Sequence, residues 1–289
     1  MGRSTSDVSL LALITLLGLT CCPLSAQASE CKDPTSGLDR TKIKIVAVEF
    51  RPESVLPDHL RAQVSEALLA SKLTKSPEDP DDEWLGELVE VTARDVLSNQ
   101  GYFKERTEIA PYLEKAERCT QFYSASVWVE AGPQYRLGKI GFRAKLFSEV
   151  RLKGQTQIKP GDIFDVSKIH ASFEAIHKIY CRLGYIDSTL VPAMDLDDVK
   201  DLIDLTIEVE EGKQYRVNSV EILGLERSVE TLLRAQINIQ KGDIFDSPSF
   251  QEVVKKNQTL LSSSTSLEKL ISVYRDTRDG NVDVVIDYQ

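Results

Sequence analysis

The stretch Ile207-Glu208-Val209-Glu210-Glu211-Gly212-Lys213-Gln214-Tyr215-Arg216-Val217-Asn218-Ser219-Val220-Glu221-Ile222 runs out of one extended segment, turns at a glycine and enters another. Before the turn, Ile203, Leu205, Ile207 and Val209 alternate with Asp204, Thr206, Glu208 and Glu210. Successive side chains of a strand point to opposite faces, so this strand buries one face and wets the other. An earlier copy of the junction lies in Val127–Ile140, where Gly132, Gln134, Tyr135 and Arg136 match Gly212, Gln214, Tyr215 and Arg216 at an offset of 80 (212 − 132). Gly161-Asp162-Ile163-Phe164-Asp165 returns as Gly242-Asp243-Ile244-Phe245-Asp246 at an offset of 81, and Gly101-Tyr102 as Gly184-Tyr185 at 83. Three echoes at nearly one spacing mean an internal repeat.

Working outward, the repeat divides the chain into unit 1 (residues 42–133), unit 2 (134–214) and unit 3 (215–289), each ordered strand, helix, helix, strand, strand. The predicted fold class is α+β, three tandem units of a three-stranded sheet covered by two helices. In unit 1 the strands are Lys42–Phe50, Phe103–Ile109 and Ser124–Glu130; one helix starts at Pro57-Asp58, and a second runs from Trp84 to a stop at Gly101. In unit 2, Val166, Ile169, Phe173, Ile176 and Tyr180 recur at helical spacing behind a cap at Asp165 or Ser167. Ser188–Ala193 then extends, and Asp195–Asp201 reads as a turn. Unit 3 repeats the scheme and closes with a hairpin of Leu270–Arg275 and Val282–Tyr288. Units of this size bury only about 60 to 65% of their unfolded surface, so packing between them matters.

Residues 1–28 read as an export signal, with Arg3 in a short polar start, an apolar run from Val8 to about Leu19, and Ala26-Gln27-Ala28 as the cleavage site. Residues 29–41 are a polar spacer. An uncleaved anchor and lipidation at Cys21 or Cys22 are the alternatives. Cleavage at Ala28 leaves Cys31, Cys119 and Cys181, an odd number that cannot all pair internally. A Cys31–Cys119 disulfide is the candidate pairing, worth about 4 to 5 kcal/mol by loop entropy. The net charge of −10 repels phosphates and anionic lipid, and no run of Lys and Arg offsets it, which argues against nucleic-acid binding.

No chemistry-bearing constellation stands out. Of the three histidines, His170 and His177 are seven apart, outside the i, i+4 spacing of a helical zinc pair, and the cysteines show no histidine partner in the local pattern. The acidic group Asp195, Asp197, Asp198 and Asp201 lacks the glycine and terminal glutamate of a calcium loop. No nucleophile elbow or phosphate loop occurs. The expectation is no catalytic residue, no metal, no cofactor and no small-molecule substrate.

The order of elements, the Gly-Asp-x-Phe starts at Gly161 and Gly242, the Gly-Tyr helix ends at Gly101 and Gly184, and the closing Glu211-Gly212 resemble the polypeptide-transport-associated (POTRA) domains, the periplasmic arm of outer-membrane assembly and secretion barrels. The resemblance covers roughly residues 42–289. Unit 1 departs from it with Pro80-Asp81-Asp82 in place of Gly-Asp-x-Phe, unit 3 has Ser262–Ser266 in place of Gly-Tyr, and no barrel strands follow. It implies an exported, periplasmic scaffold at the outer membrane. Its partners would be unfolded or nascent outer-membrane proteins or an outer-membrane barrel, with membrane contact only through a partner. Binding would be by addition of a client strand to a sheet edge, here Ser188, Thr189, Leu190 and Val191 in unit 2 and Thr107 and Ile109 in unit 1. The alternatives are a structural envelope spacer or division-type POTRA protein docking fixed partners and, ranked after it, an envelope enzyme.

Overall fold

A computed structural model describes residues 40–75, 82–117, 119–257 and 270–288. The export segment and Cys31 lie outside the described residues. The elements follow in the order β1 (Thr41–Phe50), α1 (Asp58–Ala70), β2 (Leu73–Lys75), α2 (Asp82–Ser98), β3 (Arg106–Glu117), β4 (Thr120–Glu130), β5 (Arg136–Arg143), α3 (Glu149–Lys153), α4 (Val166–Cys181), β6 (Thr189–Asp197), β7 (Leu202–Glu210), β8 (Arg216–Leu223), α5 (Arg227–Ile237), α6 (Ser247–Lys256), β9 (Ile271–Asp276) and β10 (Asn281–Asp287). The fold is mixed α+β, three sheets with a pair of helices to each.

The last strand of each unit lies in the middle of its sheet. Sheet orders are β2-β1-β4-β3, β5-β7-β6 and β8-β10-β9. The central strand is antiparallel to the one before it, which needs only a turn, and parallel to the first, which needs the helical crossover between them. With a neighbour on each side, β7 keeps the strict alternation seen in the sequence, and Ile203, Leu205, Ile207 and Val209 are at most 5% exposed. Each sheet backs onto its own apolar cluster, built around Leu60, Val64 and Val89 in unit 1, Phe164, Ile176 and Tyr180 in unit 2, and Phe245, Phe250 and Val284 in unit 3.

Unit 1 differs from the expected three-stranded sheet. The link between its helices lays β2 antiparallel on β1, with Leu73 opposite Ile43, and adds a fourth strand. The strands β3 and β6 also run longer than the sequence indicated. Asp195 and Asp197 lie inside β6, facing Asp204 and Leu202 across the hairpin, because pairing with β7 overrides the poor strand propensity of aspartate. The turn itself is confined to residues 198–201, with Asp201 at φ 52°.

Candidate functional site: strand edges and unit junctions

Among the described residues, β3, β6 and β9 are the terminal strands on one side of each sheet. Ile109 of β3 faces Val127, and Pro192 of β6 faces Ile207; 207 − 127 is the repeat offset of 80, so the two stand on one rung. The Ile109 amide donates to Glu90 Oε1 of α2 at 3.3 Å, and a Cβ added to Gly86 of α2 would lie 3.3 Å from the Ile109 carbonyl oxygen. Amide and carbonyl of an antiparallel strand residue point to the same side, so Ile109 turns both groups away from β4 and onto α2. In β6 the same rung carries proline, which has no N–H to offer. The outward amide is thus closed in both units, by a helix carboxylate in one and by a ring in the other.

The remaining edge positions differ. Ile109 is buried in the core of unit 1, and Thr107 is half-buried with its Oγ1 enclosed and unpartnered. Ser188 is buried just ahead of β6, where its hydroxyl meets His177 Nδ1 at 2.9 Å. Leu190 packs against the core of unit 2, while Thr189, Val191, Met194 and Leu196 are exposed. Met194 and Leu196 share the face of Leu190 but lie exposed, and Val191 is exposed on the opposite face.

The repeated motifs assemble the junctions. Tyr135 and Tyr215 are buried, and their amides donate to Gly101 O (2.7 Å) and Gly184 O (2.8 Å) at the end of the preceding unit's helix. Gln134 and Gln214 donate to Gln100 O (2.9 Å) and Leu183 O (3.0 Å). Gly101 and Gly184 sit at φ +81° and +80°, and a Cβ on either would stand 2.6 or 2.7 Å from the tyrosine carbonyl oxygen. Only glycine meets both demands. Those carbonyls in turn accept from Phe164 N and Phe245 N, which seats each Gly-Asp-x-Phe turn on the first strand of its unit. Arg136 and Arg216 hold the same turns by donating to Gly161 O and Gly242 O, both at 2.9 Å. The residue after each Gly-Tyr crosses over: Tyr102 and Tyr185 pack in their own unit's core, but Phe103 packs in that of unit 2 and Ile186 in that of unit 3.

Each junction is closed by a tyrosine, a carboxylate and a cation. At the first, Tyr135 donates to Asp198 Oδ1 at 2.6 Å while Lys104 reaches Asp198 Oδ2 at 2.5 Å. Lys104, and after it Tyr135, holds the Asp198 carboxyl below the usual carboxylate range, and Asp198 raises the tyrosine in return. At the second, Tyr215 donates to Asp187 Oδ2 at 2.6 Å and Arg275 to Asp187 Oδ1. Burial pushes the Asp187 carboxyl up, but the bonds from Tyr215 and Arg275 outweigh it and the net shift is downward.

The second junction also encloses a pair that the sequence reading missed. His177 lies one helical turn before Cys181 on α4, with Nε2 3.2 Å from the thiol sulfur. This corrects the expectation that the cysteines have no histidine partner in the local pattern; the i, i+4 spacing of His177 and Cys181 is the signal that gives it. Burial, followed by the fields of Asp187 and Asp246, pushes the Cys181 thiol up to about 11, so it is a neutral thiol and not a poised nucleophile. Cys119, at the tip of the β3–β4 hairpin, is disulfide-bonded. Among the described residues no group of three or more His, Cys, Asp and Glu is placed to hold a metal ion, and no helix is long and apolar enough to cross a membrane.

Residues 135–212 match the POTRA family model, described as surface antigen variable number repeat. The outer membrane protein assembly factor BamA of Buchnera aphidicola is 24% identical over 209 residues, covering 71% of this chain and 32% of that protein. BamA of Neisseria meningitidis is 23% identical over 226 residues, covering 75% of this chain and 27% of that protein. The chain therefore spans a third or less of the length of these relatives. The crystal structure of Haemophilus influenzae BamA POTRA3-5 superposes with a TM-score of 0.61 at 20% identity, over 86% of this chain and 96% of that one. The chain resembles the POTRA family in the sequence of its second unit, and its fold across the described units is that of tandem POTRA domains.

Proposed function

We propose that this chain is a periplasmic, non-enzymatic POTRA scaffold, with units meeting at residues 133–134 and 214–215, that acts in outer-membrane protein assembly or secretion. It takes extended polypeptide along the β6 edge. The observation that carries this reading is an edge strand, β6, with exposed apolar side chains on both faces, Met194 and Leu196 on one and Val191 on the other, and no neighbouring strand on its outer side among the described residues. Exposed apolar side chains on a sheet edge are what strand addition uses and what a protein with no client avoids. The similarity to BamA supports the setting. The client would be an unfolded or nascent outer-membrane protein or a segment of a barrel partner.

The energetics favour a weak, releasable contact. Pro192 removes one donor from the edge, and about four added backbone bonds at roughly 0.5 to 1.5 kcal/mol each contribute about 2 to 6 kcal/mol. Association costs an estimated 4 to 15 kcal/mol, so one edge alone binds poorly, and linked units raise the effective concentration. Thr189, Leu190 and Val191 carry the proposed contact more readily than Thr107 and Ile109, whose row is closed by Glu90. The reading also takes Cys31 as the partner of Cys119, for which non-reducing peptide mapping should recover the two in one fragment.

Photocrosslinking from Val191 in cells, followed by mass spectrometry of the adducts, tests the proposal. Many different nascent outer-membrane proteins are expected. One recurrent envelope protein would favour a second reading, a spacer docking a fixed partner, which the two closed junctions support. Absence of any adduct at Val191 and Met194 would remove the β6 edge from the account.

A further inference from the structure

The two faces of β6 differ in chemistry. Leu190, Met194 and Leu196 share one face, and Val191, Ala193 and Asp195 share the other. On that second face Asp195 stands directly opposite Asp204 of β7. Like charges on one rung of an antiparallel pair repel and weaken the sheet. Asp204 is relieved from the β5 side: Lys139 Nζ lies 3.5 Å from its Oδ2, and the carboxylate leans over Gly138, where any Cβ would strike Oδ1. Asp195 has no such relief. It is exposed, and among the described residues it forms no ion pair. The next acid along β6, Asp197, is already held by Lys200 Nζ at 2.6 Å.

The acidic rung is peculiar to unit 2. Ile109 opposite Val127, Pro192 opposite Ile207 and Ile271 opposite Ile286 are equivalent rungs of the three sheets, since 207 − 127 is 80 and 286 − 207 is 79. Three residues nearer the hairpin turn, the pairs are Tyr112 with Ser124, Asp195 with Asp204, and Tyr274 with Asp283. The other two edges therefore carry an exposed tyrosine where β6 carries a carboxylate. Neighbouring strands lie about 4.8 Å apart, so a strand added outside β6 places one of its own side chains within reach of Asp195.

We propose that the β6 edge selects amphipathic strands, apolar on the face that lies beside Leu190, Met194 and Leu196 and bearing lysine or arginine on the other face at the rung of Asp195. This deepens the reading of β6 as a polypeptide-binding edge and rests on it. The added base completes a row across the sheet: Lys139, Asp204, Asp195 and the client's cation. Each carboxylate then has a base on its own side, and the repulsion between the two is offset from both directions. A strand with an acid at that place adds a third like charge and is disfavoured. The rung is exposed and screened by salt, so it sorts clients without holding them.

Met1 and Met194 are the two methionines of the chain, so the signal of an isotope-labelled Met194 methyl group reports directly on this edge. The probe is a capped nine-residue peptide of alternating threonine and valine with lysine in place of the central threonine, compared with peptides that carry serine or glutamate there. Titrated into the full chain, all three should shift the Met194 signal. The lysine peptide should bind about 3-fold more tightly than the serine peptide and about 10-fold more tightly than the glutamate peptide. Asp195→Asn, which alters the net charge by only one, should bring the lysine and serine peptides level, and Asp195→Lys should reverse the order. Equal binding of the three peptides by the unaltered chain overturns the proposal and leaves strand addition at β6 standing. A lysine preference unchanged in Asp195→Asn belongs to the net charge of −10 and overturns it too. A Met194 signal that no peptide moves overturns the reading of β6 itself, and the proposal with it.

Discussion

The first and second junctions share a frame and differ in where their charges come from. In both, a glycine at positive φ lets a helix end touch the carbonyl of a buried tyrosine, and the tyrosine hydroxyl bonds an aspartate that also meets a cation. At the first junction the aspartate, Asp198, belongs to the same unit as its tyrosine, and of its two bonds the one from Lys104 crosses between units. At the second the aspartate, Asp187, comes from the preceding unit, and both the tyrosine bond and the Arg275 bond cross. Asp198 is exposed and Asp187 half-buried, which leaves the first latch more open to solvent screening. A shared frame therefore fixes how the units meet, and the placement of one carboxylate sets how firmly.

Substitutions can break this comparison, beginning with the frame. Phe103→Ala removes the side chain that stands 5.2 Å from Phe164 in the core of unit 2, and should cost about 2 to 3 kcal/mol, less than the fully buried case because Phe103 is half-buried. Denaturant unfolding measures it. Gly101→Ala and Gly184→Ala should each cost about 1 to 3 kcal/mol from the left-handed backbone alone, with the carbonyl clash in addition. Equal losses would support a common frame, and a harmless Gly101→Ala would refute it.

The charges come next. Asp187→Ala leaves the Tyr215 hydroxyl and Arg275 without their shared partner and should cost about 1 to 2 kcal/mol. Asp198→Ala should lower the melting temperature by less. Spin-label distances between units 2 and 3 should broaden in the Asp187 variant, and those between units 1 and 2 should change less in the Asp198 variant. The smallest effect is on pH. The folded Asp187 carboxyl sits below its unfolded value, so its contribution is complete above an unfolded pKa of about 3.9 and is lost as pH falls through the lower folded value. The second junction should loosen only in acid, and Asp187→Asn should flatten that dependence in the same distance measurement.

The repeat and its motifs were legible because each glycine, tyrosine or Gly-Asp-x-Phe turn satisfies a local backbone demand that recurs at nearly fixed spacing. The central strands were legible because burial on one face imposes a period of two. What escaped depends on contacts far apart in the chain. Nothing around Leu73 announces that it pairs with Ile43, and nothing local to Phe103 or Ile186 shows that these residues serve the next unit's core. Tyr135 and Tyr215 were legible as junction residues, yet their aspartate partners lie 63 and 28 positions away, on opposite sides in sequence. Arg136 and Arg216, although they stand at the unit boundaries, bind carbonyls within their own units. The closure of the edge at Ile109 depends on Glu90, and only the packing of α2 brings that carboxylate there.

The crossing of Phe103 and Ile186 bears on the order in which the chain takes shape. Each plug precedes its socket in sequence, so a polypeptide delivered with its N-terminus first presents the plug before the core that receives it has been made. Assembly can then proceed in one direction without reopening what is already formed. A unit cut out at residue 134 would begin with a vacancy in its core, and a fragment intended to fold alone should start ahead of Gly101.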